Sequence, residues 1–446
     1  MATLLLVLTL GQNQGQNQGQ IMPAGEAASA IQSQAPAAFT NLALLMAQIA
    51  LVILVSRAVG SLFEGIRQPR VIGEVLAGIL LGPSFLGWVA PGLSAWLFPP
   101  SSFGVLNALS QLGLALFMFM VGLELNLKEL RQQGHVAVLI SHASIVAPMA
   151  LGAILALYLY PRLSDSSVRF TEFALFIGVA MSVTAFPVLA RILAERRMLG
   201  SRLGTMAIAC AAVDDVTGWC VLAFIVGHVR AAHSSLPAWI TIAGLAVFVV
   251  VMSWGVRGLL RNIERAYVAD AHLSDNRKAL LLLLLLVSAL VTETLGLHLL
   301  FGAFMAGAVM PKNRDFSAYI IQRFESLTVL LLLPLFFAYT GLRTSLGQVK
   351  GLPMWSICLL IVLVAVIGKL GGTGIAARMG GMEWRESLAL GALMNTRGLM
   401  ELVVLNIGLD IKVISPTLFS MMVVMAIVTT MMTPPLLHWV YPQAKP

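Results

Sequence analysis

Thirteen apolar runs follow one another along this chain, centred near residues 49, 79, 113, 147, 182, 215, 248, 285, 304, 333, 365, 397 and 426. About 20 predominantly apolar residues cross the hydrocarbon core as a helix. In lipid a chain satisfies its own backbone only as a helix or a closed barrel. The expected fold class is therefore an all-α polytopic membrane protein with about 13 transmembrane helices. With 59% hydrophobic and 11% charged residues over 446 positions, no separate soluble domain is visible. The formal charge of +8 does not point to nucleic acid, because the basic residues sit in short loops and no basic patch is interleaved with aromatics. Cys210, Cys220 and Cys358 all lie in apolar runs, without zinc or disulfide spacing, and read as core residues.

Loop charge gives the orientation. Assigning loops alternately to two sides puts 20 of the 28 Lys and Arg on the side of Arg57, Arg67 and Arg70, and 6 on the other, leaving Lys369 and Arg397 within the membrane. The positive-inside rule makes the first side cytoplasmic, with the N-terminus outside and the C-terminus inside. Residues 1–38, with a Gly-Gln-Asn tract, read as an N-terminal tail or a signal segment that lacks a basic start. Residues 39–441 form the membrane domain, with no soluble regulatory domain expected after it.

Two stretches recur. Leu116-Phe117 through Gly122-Leu123 in the third span match Leu335-Phe336 through Gly341-Leu342 in the tenth. Gly73, Ala77, Gly78 and Pro83 in the second match Gly302, Ala306, Gly307 and Pro311 in the ninth. Both pairs are seven spans apart, and an odd offset inverts one copy relative to the other. The chain thus reads as a 6+6 inverted-topology repeat, about 39–230 and 275–441, joined by a linker helix at about 236–260. Such repeats bind ions at the midplane, where helices break. Pro187 interrupts the fifth span after Ser182-Val183-Thr184, and Asn395-Thr396-Arg397-Gly398 interrupts the twelfth, so two crossed discontinuous helices are expected. Arg397 and Glu401, four apart, share a face and read as a salt-bridged scaffold at that crossing, with Asn395 and Pro187.

The sixth span carries adjacent acids, Asp214 and Asp215, near the middle of the run 203–226. A charge there costs roughly 3 kcal/mol on insertion scales and usually faces protein or a water-filled cavity. Neighbouring helical residues point about 100° apart, so one acid is expected to face a cavity and the other a neighbouring helix. That divergence argues against an aspartyl protease dyad and for a cation and proton site. Lys369, in the eleventh span, needs a carboxylate partner, and either aspartate qualifies. Thr184 is a candidate polar group beside them, while Glu74, Glu293 and His298 read as interfacial or packing residues.

Four motifs in order, Ser-Val-Thr-Ala-Phe-Pro at 182–187, Val-Asp-Asp-Val-Thr-Gly-Trp at 213–219, Gly-Leu-His-Leu-Leu-Phe-Gly at 296–302 and Met-Asn-Thr-Arg-Gly-Leu-Met-Glu at 394–401, resemble the monovalent cation:proton antiporter-2 family. Within it the chain is most similar to the Kef-type and plant cation/proton exchanger branch. The resemblance implies a homodimer in a bacterial inner membrane, a mobile core moving against a dimerisation domain, and no cofactor. It also implies Asp215 as the carboxylate that binds H+ or Na+ or K+, Asp214 as the acid paired with Lys369, and Thr184 nearby. Burial strengthens a carboxylate's hold on its proton and a nearby cation weakens it, so proton and metal ion compete for one site. A sodium-coupled organic-anion symporter and a gated cation channel are the alternative functions.

Overall fold

The computed structural model describes residues 24–442 apart from 67, 125–133, 166–167, 197, 199–200, 234–237, 271 and 296; the side chains of 24–41 and of some helical positions, Pro187, Arg191 and Asp215 among them, are also outside the described residues. Two compact units divide the chain at Ile49 and Ala50. Among the described residues the first contributes only helix, which runs Ala24–Gly65 across the division (α1). It begins inside the stretch read from sequence as a tail: Ala-rich 24–38 favours helix, and an apolar count does not register that preference.

Of the thirteen expected centres, one, near 397, falls in the break between two helices, and helical segments lie at the other twelve. They are α2 (Arg70–Leu81), α3 (Phe103–Glu124), α4 (Gly134–Leu163), the broken α5a (Phe170–Ser182) and α5b (Phe186–Glu195), and α6 (Arg202–His233). Then come α7 (Ala238–Val250 and Val256–Asp270), α8 (Asp275–Thr294), α9 (Leu299–Ala308) and α10 (Arg314–Leu327 and Leu333–Arg343). The last are α11 (Gly351–Val366 and Gly372–Met379), the broken α12a (Trp384–Met394) and α12b (Leu399–Asp410), and α13 (Pro416–Val440). The two parts of α7, α10 and α11 are each joined by one π-helical turn. Among the described residues nine helices are long and apolar enough to cross a membrane, and α12a with α12b, bent by 44°, makes a tenth.

The inverted repeat is written in the packing. α3 crosses α9 so closely that a methyl group on Gly122 would collide with the Phe304 carbonyl, and one on Gly307 with the Phe119 carbonyl. α10 crosses α2 in the same way, Gly341 against the backbone of Gly78 and Gly78 against Ala338. These are the residues that the repeat aligns, so the two crossings are mates. Small residues permit such approach where lipid gives helices no hydrophobic reason to associate. After each crossing, the residue following the aligned proline caps the neighbour's C-terminus. Ser84 Oγ donates to Thr344 O at 2.7 Å, and Lys312 Nζ donates to Gly122 O and Leu123 O at 3.2 Å. We expect Gly307→Val to lower detergent thermal stability by about 1–3 kcal/mol or more; an unchanged melting curve would contradict the close crossing.

Helices α2, α3, α8, α9 and α10 pack on one another as one set, and α4, α5, α6, α11, α12 and α13 as a second. The linker α7 touches α6 of the second set and α10 of the first. Polar bonds join the sets where α10 and its following loop meet α12b and α13. Arg343 donates to Asp410 Oδ1 at 2.7 Å and to Asn406 Oδ1 at 3.1 Å, and Asn406 Nδ2 donates to Thr340 Oγ1 at 2.9 Å. Ser345 N donates to Ser420 Oγ at 3.0 Å, and Thr417 Oγ1 to Gln348 Oε1 at 3.1 Å. Cys210 and Cys358 are buried but Cys220 is exposed, which corrects its reading as a core residue. Its neighbour Trp219 is buried, and a turn of about 100° carries position 220 off that face.

Candidate functional site

Two breaks make the site. α5a stops at Ser182, the chain turns extended at Val183, and Thr184 and Ala185 stay out of helix before α5b begins. α12a stops at Met394, and Asn395 to Gly398 lead into α12b. The two non-helical stretches cross and pair, Ala185 N donating to Thr396 O at 3.0 Å. Thr430 Oγ1 on α13 pins the second break, accepting from Arg397 N at 3.0 Å and donating to Arg397 O at 2.7 Å.

Arg397 serves the ends that the break exposes. Its guanidinium donates to Ala180 O at 2.9 Å and Met181 O at 2.6 Å, carbonyls in the last turn of α5a, and to Glu401 Oε2 at 2.7 Å. A cation belongs at a helix C-terminus and an acid in a first turn, and Glu401 lies in the first turn of α12b. Both side chains are fully buried. Asn395 is buried too, and neither atom of its amide has a hydrogen-bond partner among the described residues. That leaves an oxygen able to accept from a hydroxyl, a water or a cation.

The acid cluster lies beside this crossing. Lys369 and Asp214 form a fully buried ion pair, Nζ to Oδ2 2.8 Å. Lys369 Nζ also donates to Thr184 Oγ1 at 2.6 Å, and Thr184 Oγ1 lies 3.0 Å from Asp214 Oδ2 and 3.1 Å from Met394 O. Thr184 thus ties both breaks to the ion pair through one hydroxyl. Two further hydroxyls come from α4. Ser141 Oγ donates to Asp214 Oδ1 at 2.9 Å, and Ser144 Oγ lies 2.8 Å from Oδ1 and 2.6 Å from Oδ2. Lys369 occupies the π-helical turn Ile367–Gly371, whose Gly368 meets Pro148 of α4 with no room for a methyl group. π-helical turns are rare and gather at functional sites.

The structure therefore brings together Asp214, Thr184 and Lys369, and separately Arg397 and Glu401, with Asn395 at the break between α12a and α12b. Asp215 follows Asp214 on α6, and its side chain, like that of Pro187, lies outside the described residues. Glu293 accepts from Leu299 N at 2.9 Å and His298 caps α9, so both serve the turn between α8 and α9. Glu74 pairs with Arg70 at 3.3 Å. Sequence reading missed Ser141 and Ser144. Their signal was a Ser-x-x-Ser spacing in the fourth span, which puts both hydroxyls on one face. Ser144→Ala is expected to cost about 1–3 kcal/mol, since it strips a hydrogen bond from a buried charge. Thermal unfolding in detergent measures this, and an unchanged midpoint would mean that Asp214 does not depend on the Ser144 hydroxyl.

An arrangement of this kind, a compensated carboxylate within the membrane beside two broken helices, can exchange small cations and protons. The family described as sodium/hydrogen exchanger, transmembrane, matches residues 49–441. The Na(+)/H(+) antiporter NhaS4 of Synechocystis sp. is 43% identical over 403 residues, covering 90% of this chain and 98% of that protein. Cation/H(+) antiporter 18 of Arabidopsis thaliana is 40% identical across 91% of this chain and 50% of its own length. K(+)/H(+) antiporter 1 of Saccharomyces cerevisiae is 32% identical across 90% of this chain and 47% of its own. This chain thus spans about half the length of those two relatives. The solved structure of the sodium proton antiporter MjNhaP1 from Methanocaldococcus jannaschii has the same fold, with a TM-score of 0.65 at 16% identity over 89% of this chain and 96% of that one. On these matches, and with helices arranged as an inverted repeat around two crossed breaks, the chain belongs to the transmembrane sodium/hydrogen exchanger family.

Proposed function

We propose that this protein exchanges a monovalent cation, Na+ or K+, for protons across its membrane, and that it belongs to the antiporter-2 branch. The buried Asp214–Lys369 pair on α6 and α11, bonded to Thr184 at the break in α5, is the observation that carries this reading. Asp214 is already filled by a lysine and three hydroxyls, so a cation reaches it only by displacing one of them. The adjacent acid, Asp215, is therefore assigned as the carboxylate that alternately holds a proton and the metal ion. Asp214 holds the lysine at the crossing, and Arg397 with Glu401 holds the broken ends. Binding either ion neutralises Asp215, and the set α4–α6 with α11–α13 then moves against α2, α3 and α8–α10. A bare carboxylate crosses only at high cost.

We further propose a homodimer with its Lys- and Arg-rich loops in the cytoplasm. A cysteine placed at Arg197, which lies outside the described residues, is expected to resist a membrane-impermeant label in intact cells. Labelling from outside would reverse the orientation. Uptake of Na+, K+ and Li+ into proteoliposomes under an imposed pH gradient tests the function. The expected result is cation uptake coupled to proton efflux. Cation flux indifferent to the pH gradient would indicate a channel, and uptake only with an organic anion a symporter.

A further inference from the structure

Two adjoining concavities lie where α8 begins beside α10, and they differ in chemistry. One, of about 560 Å³, is lined by polar groups that include Arg277, Lys278 and Arg323. The other, of about 310 Å³, is apolar, with Leu281, Leu282, Ile320 and Phe324 in its wall. Leu273, Lys278 and Arg323 belong to both, so the two are continuous.

Exposed leucines lead away from each shared cation. On α8, Leu282, Leu286 and Leu290 follow Lys278 at steps of four and are 37%, 43% and 62% exposed. That spacing makes one leucine stripe about 12 Å long, on the face that begins with Lys278. On α10, Leu327 and Leu330 follow Arg323 and are likewise exposed. Arg323 stands twenty residues before Arg343 on α10, about 30 Å at 1.5 Å per residue, which matches the hydrocarbon thickness. The basic concavity therefore lies at one boundary of the apolar layer, on the Lys- and Arg-rich side, with the leucine stripes within the layer. Tyrosines mark that boundary. Tyr267 packs against Tyr319 with ring centroids 5.0 Å apart and planes tilted by 41°, and the Arg323 guanidinium lies 5.2 Å over the Tyr319 ring. Leu273 N bonds Tyr319 Oη at 3.5 Å, which holds the loop before α8 against α10.

We propose that this is a binding site for an anionic glycerophospholipid, its phosphodiester in the basic concavity and an acyl chain in the groove and along the leucines. Among the described residues that line the concavity, three cations face one carboxylate, Asp275, which accepts from Lys278 at 2.8 Å. An ammonium has two further protons to donate. A soluble anion would use the cations but leave the apolar groove unfilled. A second copy seated here isologously would set its own Arg277, Lys278 and Arg323 against these, like charge on like. A phospholipid satisfies both halves, and basic pockets between membrane helices are known to hold such headgroups.

The test uses the delipidated full chain in detergent, with native mass spectrometry and thermal unfolding, against phosphatidylglycerol, phosphatidylcholine with the same acyl chains, and sodium phosphate. Phosphatidylglycerol is expected to remain bound and raise the Tm, phosphatidylcholine to bind at least about tenfold more weakly, and phosphate to do neither. Arg277→Gln/Lys278→Gln/Arg323→Gln should weaken phosphatidylglycerol binding at least about tenfold, while Arg378→Gln/Arg385→Gln, elsewhere on the chain, should not. If the triple variant fails to fold, Arg323→Gln alone, at an exposed side chain, should still weaken it measurably. Equal binding of the choline lipid would overturn the proposal, as would stabilisation by phosphate alone or unchanged affinity in the charge variants. So would a dimer that falls apart on these substitutions while the unaltered protein retains no lipid.

Discussion

Lys369→Ala is expected to destabilise the protein by about 3–5 kcal/mol, the cost of breaking a buried ion pair by removing one partner. Both side chains are fully buried and 2.8 Å apart, so no solvent compensates the acid left behind. Asp214→Asn should cost less. An amide still accepts from Ser141, Ser144 or Thr184, but the ammonium loses its counter-charge. The double variant Asp214→Asn/Lys369→Gln removes both charges and should recover part of the loss, because neutral replacements of a buried pair are often tolerated. Thermal unfolding of the two single variants and the double variant in detergent closes the cycle. A coupling energy near zero would mean that the lysine draws its stability from another partner. Exchange activity need not follow stability, since the transported ion is assigned to Asp215.

Tethering Arg343 to Asp410 is expected to abolish exchange outright. Their ion pair, with Asn406 as a second acceptor, joins the two helix sets where the end of α10 meets α12b. If one set moves against the other, that seam must open in each cycle. A protein in which Cys210, Cys220 and Cys358 are replaced, carrying Arg343→Cys and Asp410→Cys, would be joined by a bifunctional thiol reagent long enough for the arginine's reach. Exchange should stop on cross-linking and return when a reductant cleaves the tether. Full activity with the tether intact would show that the seam stays closed during transport. Arg343→Ala alone should cost far less, because the pair is partly exposed and such pairs are worth about 0–1 kcal/mol.

Much of the architecture could be read without coordinates because lipid permits few solutions. An apolar run of bilayer length means a helix, and the glycines at 122 and 341 give the register of the repeat because they are where backbones touch. The breaks were legible at Pro187 and at Asn395-Thr396-Arg397-Gly398 for a related reason, since proline removes a backbone donor and the other stretch sets a charge within an apolar run. Pairing was harder. Asp214 and Asp215 are adjacent, and one turn of about 100° decides which meets Lys369; sequence alone leaves both open. The serines at 141 and 144 were overlooked because hydroxyls are common in membrane helices and often bond their own backbone. Arg343 and Asp410 end α10 and α12b, but nothing in the order of spans tells which helix ends meet. The start of α1 at Ala24 was hidden because alanine adds little to an apolar count while strongly favouring helix.

We propose that Asp215 carries the exchanged ion. Asp215→Asn, reconstituted in proteoliposomes and confirmed as folded by its unfolding curve, isolates it. An amide neither takes up the proton nor supplies the charge that balances a cation, so pH-gradient-driven uptake of Na+ and K+ should fall to that of empty liposomes while stability stays close to the unaltered protein's. Appreciable proton-coupled uptake in that variant would contradict the account and move the ion to Asp214.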